Sequence, residues 1–141
     1  MNAIKVLLVE DNEGDILLTL EALETGKIPK ETKVLKDGWE AVRYMEKQEP
    51  YEASETPDVV VLDVNLPKVS GYEVLDKIKN NSMLRHIPIV MLTTSSSPDD
   101  IIKSYQKQAD HYIAKPFNAD DYFRVVNSLE DFWFSHNTNK Q

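Results

Sequence analysis

Acids, hydroxyls and one lysine follow short apolar runs in this chain. Glu10 and Asp11 follow Val6-Leu7-Leu8-Val9, and Asp63 follows Val59-Val60-Val61-Leu62. Thr93 and Thr94 follow Ile89-Val90-Met91-Leu92, and Lys115 comes just after His111-Tyr112-Ile113. If these runs are neighbouring strands, three carboxylates, a hydroxyl and an ammonium converge on one rim. At about 4 Å and an effective dielectric of about 20, each carboxylate pair costs on the order of 4 kcal/mol. Lys115 offsets part of that repulsion, and a divalent cation offsets more. An all-oxygen donor set suits a hard ion, so Mg²⁺ is the expected metal. A carboxylate nucleophile, a metal with open positions, and donors around a phosphoryl group together make phosphoryl transfer the expected chemistry. Singly, each residue has a plainer reading. Glu10-Asp11 could cap a helix and Lys115 could be a surface lysine. Four strand ends carrying compatible groups point instead to a site.

The elements that must position these groups are readable from periodicity. The three strong runs are continuous rather than alternating, as in strands covered on both faces of a parallel sheet. Lys33-Val34-Leu35 and His111-Tyr112-Ile113 are weaker strands. Between them lie helical stripes: Ile16, Leu17, Leu20 and Leu23; Val42 and Met45 with Trp39; Val74, Leu75 and Ile78; and Ile101, Ile102 and Tyr105. The last stripe is the longest, with Tyr122, Val125, Val126, Leu129, Phe132 and Trp133. Ser97-Pro98-Asp99-Asp100 and Asn118-Ala119-Asp120-Asp121 supply helix-start signals. Five β-α units in succession predict an open parallel sheet with five helices on its two faces. In such sheets the ligand crevice lies beyond the carboxyl ends of the strands. A polar loop, Glu49 to Pro57, precedes the third strand, and a polar tail starts at Ser135.

Composition narrows the function classes. The chain has 141 residues and a net charge of -8, the length of one domain. Its negative field argues against nucleic-acid binding. The absence of cysteine excludes a thiol nucleophile, a disulfide framework and a Cys-type zinc site. No signal peptide or membrane-spanning run is present, which predicts a cytoplasmic protein with no membrane association. Four glycines cannot build a Gly-rich phosphate loop, and His86, His111 and His136 lack metal-ligand spacing.

The motifs resemble those of the receiver domain of two-component response regulators, over about residues 4 to 134. Leu7-Leu8-Val9-Glu10-Asp11 resembles the family's first strand and acid pair. Leu62-Asp63-Val64-Asn65-Leu66-Pro67 followed by Gly71 resembles its phosphoacceptor loop. Leu92-Thr93-Thr94-Ser95 and Tyr112-Ile113-Ala114-Lys115-Pro116-Phe117 resemble the ends of its fourth and fifth strands. The resemblance implies a flavodoxin-like, doubly wound sheet of order 2-1-3-4-5. It also implies that Asp63 accepts a phosphoryl group from a histidine kinase. Glu10, Asp11, Asp63 and the backbone carbonyl of Asn65 would hold Mg²⁺. Thr93 would hydrogen-bond the phosphoryl group, Lys115 would pair with it, and Tyr112 would swing inward as Thr93 moves. Lys115-Pro116 would be a cis peptide, and Gly71 would permit a tight backbone at the end of the loop. Glu10 stands where the family more often has Asp, and Thr94 where it often has Ala. The latter bears on access of water or a phosphatase to the site.

Asn65-Leu66-Pro67-Lys68, Ile87-Pro88, Ser104-Tyr105 and Phe132-Trp133 are similar to segments of single-domain regulators that serve bacterial phytochromes. One receiver domain over residues 1–141 with no output domain is therefore expected. It would be a phosphoacceptor signalling module, not an enzyme, that assists its own phosphotransfer and dephosphorylation. Its partners would be a phytochrome-type histidine kinase and a downstream protein. Signalling would use the face of the fourth helix, fifth strand and last helix. Tyr122, Phe123, Phe132, Trp133 and Phe134 add an expected homodimer there. Three other readings fit less well. An aspartyl-phosphate phosphatase would want Asp at position 65, a flavin carrier would be repelled by Glu10 and Asp11, and a phosphate-independent binding domain leaves Asp63, Thr93 and Lys115 unexplained.

Overall fold

The computed structural model describes residues 3–93, 111–114, 127, 130 and 131. Five strands, β1 (Ile4–Val9), β2 (Lys30–Leu35), β3 (Val59–Asp63), β4 (Ile89–Thr93) and β5 (His111–Ala114), form one sheet of order β2-β1-β3-β4-β5. Every neighbouring pair is parallel. Among the described residues, three helices connect β1 through β4: α1 (Glu13–Thr25), α2 (Gly38–Met45) and α3 (Gly71–Lys79). Asn127, Glu130 and Asp131 are helical. The fourth-helix stripe, all six residues of the last stripe, their start signals and the tail lie outside the described residues.

The sheet divides the core in two, and this explains the continuous apolar runs. In β1, Leu7 and Val9 pack with α2 and α3 side chains such as Val42, Met45, Val74 and Ile78. Ile4, Val6 and Leu8 pack on the other face with Ala22 and Leu23 of α1. Successive side chains of a strand point to opposite faces, so covering both requires an apolar residue at every position.

Two details depart from the expected pattern. In α1 the inward stripe is Ile16, Thr19, Ala22 and Leu23, while Leu17 is 60% exposed. Thr19 can be buried because its hydroxyl donates to the Asp15 carbonyl at 2.7 Å, which leaves no polar group unsatisfied. Strand β2 starts at Lys30, three residues before the expected Lys33. It lies at the sheet edge, where Glu31 and Lys33 are exposed, so its sequence does not carry the apolar run of the inner strands. The polar loop before β3 is anchored by Tyr51. Its ring meets Tyr44 edge-on at 5.4 Å, and its hydroxyl donates to the Glu40 carboxylate.

Gly71 closes the loop after β3. Its amide donates to the Val64 carbonyl at 2.8 Å, and a Cβ there would stand 2.2 Å from the Asp63 carbonyl oxygen. The opposing atom is backbone and cannot rotate away. Gly71→Ala is therefore expected to lower stability by about 3 kcal/mol, at the upper end of ordinary overpacking costs. Urea denaturation of the two proteins measures this, and an unchanged midpoint would contradict the contact.

Candidate functional site

The site begins where β1 and β3 run out. Val9 is level with Leu62 in the parallel register, so the next residues, Glu10 and Asp63, leave adjacent strands side by side. Glu10 stays attached to the sheet through its amide, which donates to the Leu35 carbonyl at 3.0 Å. Its carboxylate Oε1 accepts the Asn12 amide at 3.1 Å. Asn12 is the residue that caps α1, its Oδ1 accepting from the Asp15 amide at 2.9 Å. With that task filled by Asn12, the helix-capping reading of Glu10 and Asp11 falls away.

Asp63 Oδ1 accepts the Asn65 amide at 3.2 Å, which sets the first turn of the following loop. The Val64 amide donates to the Leu92 carbonyl at 3.0 Å and ties the start of that loop to β4. Ser70 then caps α3 by accepting the Glu73 amide. Lys68 sits at φ 68°, a left-handed backbone, and its ammonium lies 3.5 Å from an Asp37 carboxylate oxygen. Asp37 in turn caps α2 by accepting the Glu40 amide at 2.8 Å. The Lys68–Asp37 link was not read from the sequence. The two residues are far apart in the chain, and only the Asp-x-x-Glu capping pattern at 37 carried a local signal.

Carboxylate oxygens of Glu10, Asp11 and Asp63 all lie within 4.8 Å of one another. Glu10 is 1% exposed and Asp63 4%, whereas Asp11 is exposed. Two buried acids and an exposed third make a cup with an open side. Bringing buried carboxylates this close is unfavourable without positive charge. The donor set contains only oxygen, so it fits a hard divalent cation. The structure thus brings together three of the expected metal ligands and places Asn65 at the turn beside them. Thr93 ends β4 one residue beyond Leu92, the partner of Asp63, and is level with Ala114 of β5. Tyr112 is in β5 opposite Met91. Lys115, Thr94 and the Lys115-Pro116 peptide lie outside the described residues.

Comparisons with known proteins agree with this geometry. A family model described as the response regulator receiver domain matches residues 6–127. Response regulator Rcp1 of Synechocystis sp. is 44% identical over 128 residues, covering 91% of this chain and 87% of that protein. The crystal structure of the phosphorylated cyanobacterial phytochrome response regulator RcpA superposes with a TM-score of 0.89 at 42% identity, covering 95% of this chain and 96% of that one. The Mn²⁺-bound form of Rcp1 gives a TM-score of 0.85 at 43% identity, covering 92% and 94%.

A cation that binds only the folded site stabilises the fold by mass action, by about 2.7 kcal/mol at a hundredfold excess over Kd. Asp11→Asn should raise stability in chelator, because repulsion falls, and should shrink the shift produced by Mg²⁺ or Mn²⁺. Thermal melts with and without each metal test both effects. A full metal shift in the variant would remove Asp11 from the ligand set.

Proposed function

The chain belongs to the response regulator receiver family, and we propose that within it Asp63 is the phosphoacceptor of a histidine kinase. The observation that carries this reading is the Asp63 carboxylate, buried at the end of β3 with Glu10 and Asp11 oxygens within 4.8 Å. A carboxylate oxygen of Asp63 attacks the phosphorus of a phosphohistidine. The nitrogen–phosphorus bond breaks, the electron pair returns to the imidazole, and an acyl phosphate forms. Mg²⁺ is the metal of this reading, held by Glu10, Asp11, Asp63 and the Asn65 carbonyl, and it supplies charge neutralisation for the carboxylates and the phosphoryl oxygens. Within the same proposal the Thr93 hydroxyl donates to a phosphoryl oxygen, and the Lys115 ammonium pairs with another. The fixed Asn12 amide on Glu10 and Asn65 amide on Asp63 keep the two buried acids from turning away.

Receiver domains are signalling modules, not enzymes in the usual sense. That this one assists its own phosphotransfer and the later hydrolysis of its acyl phosphate belongs to the proposal. So does the switch, in which Thr93 moves toward the phosphoryl group, Tyr112 follows, and the face built by the fourth helix, β5 and the last helix changes its binding properties. Similarity to phytochrome response regulators favours a phytochrome-type histidine kinase as donor and a protein as the downstream target. Coverage of 96% of the RcpA chain supports residues 1–141 as one receiver domain, its core about 4–134. We place it in the cytoplasm, away from nucleic acid and membranes. Its net charge is -8, and no helix among the described residues is long and apolar enough to cross a membrane.

With Mg²⁺ and a small phosphodonor the protein should gain one phosphate, seen by intact mass, and Asp63→Asn should gain none. Equal labelling of Asp63→Asn would overturn the assignment. The proposed homodimer through the switch face is checked by analytical ultracentrifugation over a concentration series, with and without a phosphoryl analogue. A two-subunit mass that is lost in Trp133→Ala is the expected result. A single-subunit mass in both states would remove the dimer.

A further inference from the structure

Away from the acidic cup, one buried ionic cluster has no part in the chemistry above. Glu130, in the C-terminal helical segment, places both carboxylate oxygens on the turn between α1 and β2. Oε1 accepts the Lys27 amide at 3.0 Å, and Oε2 accepts the Ile28 amide at 2.6 Å. The Lys30 ammonium lies 3.2 Å from Oε2 and donates to the Ile28 carbonyl at 2.7 Å. The side chains of Lys30 and Glu130 are 2% and 7% exposed. Gly26 makes room for them, since a Cβ there would stand 2.4 Å from both Glu130 Oε1 and Lys30 Nζ. Two consecutive amides and an ammonium facing one carboxylate have the make-up of an anion receptor. Burial alone would push the Glu130 carboxyl up, but the Ile28 amide, Lys30 and the Lys27 amide outweigh it and hold the group below its ordinary 4.5. The folded state therefore favours the ionised form. Its contribution to stability is complete above the ordinary value and is lost as pH falls through the lowered one. Beside the turn a cleft of about 450 Å³ opens, lined among others by Leu20, Leu23, Gly26, Ile28 and Thr32.

We propose that the turn from Gly26 to Lys30 is a carboxylate receptor whose intramolecular ligand is Glu130, and that its occupancy latches the C-terminal helical segment onto the α1 side of the sheet. The receptor stands at the amino end of β2, about 20 Å from the acidic cup by strand rise over six residues. It is thus a second anchor, at the opposite end of the sheet from the chemistry. Its meaning for signalling rests on the switch-face reading above, because the segment it holds contributes to that face. A receptor that takes a carboxylate reversibly also accepts one from outside when Glu130 is withdrawn.

Chemical rescue tests this. In Glu130→Ala, hydrogen exchange of the Lys27 and Ile28 amides should accelerate at least tenfold. Formate or acetate should reverse that saturably, while chloride at equal ionic strength should not. In the double variant Glu130→Ala, Lys30→Met the reversal should vanish. Gly26→Ala, which crowds the carboxylate without removing it, should also accelerate exchange. Should Glu130→Ala not fold, Glu130→Gln preserves the side-chain volume and should still speed exchange at both amides. Unchanged exchange in the folded Glu130 variant, rescue by chloride as good as by formate, or full rescue in the double variant would each overturn the receptor. Phosphate labelling separates this from the earlier reading. Folded Glu130 variants should still label on Asp63, and Asp63→Asn should keep both amides slow to exchange.

Discussion

Glu10, Asp11 and Asp63 repel one another, and their separation of under 4.8 Å is maintained by the sheet beneath them. Parallel pairing of β1 with β3 fixes the backbones from which Glu10 and Asp63 leave, and the two apolar layers fix the sheet. Each buried acid also accepts the amide two residues on, from Asn12 and Asn65. Neither side chain can relieve the repulsion by rotating into water. A divalent cation held among the three acids would lower that repulsion.

The loops around the cup serve that arrangement. The turn after Asp63 is bonded to β4 at Val64 and closed on itself by Gly71, while Lys68 ties its outer edge to the cap of α2. Caps at Asn12, Asp37 and Ser70 place three helix N-termini at the same end of the sheet as the acids. Their partial positive charge lowers the cost of concentrating negative charge there, an effect limited to the first turn of each helix. Glu130 repeats the principle at the far end, where backbone amides and Lys30 receive one carboxylate.

Legibility in the sequence followed the range of the interactions. Strands β1, β3 and β4 were readable because being covered on both faces writes an unbroken apolar run. The acids after them were readable because their positions depend only on where those runs stop. The first half of β2 was not readable, since Lys30, Glu31 and Thr32 form a strand by pairing with Ile4, Lys5 and Val6 and not by their own pattern. Leu17 was assigned inward because hydropathy cannot see that Thr19 satisfies its hydroxyl within its own helix. Burial of Glu130 was out of reach for a different reason. Its partners Lys27 and Ile28 are 103 and 102 residues away, and an isolated Glu in a helical stripe reads as solvated.

The edge position of β2 has a bearing on how the protein behaves at high concentration. A six-residue edge strand is a template on which a strand of another molecule can add, the first step toward a cross-β fibril. Here the outward row carries Glu31 and Lys33, both exposed. Stacking identical copies in register would set Lys33 against Lys33 and Glu31 against Glu31 at each 4.7–4.8 Å step of a fibril. The same charges that hide β2 from a hydropathy reading act as gatekeepers against aggregation, and replacing them with valine would make the strand easier to recognise and the protein harder to keep in solution.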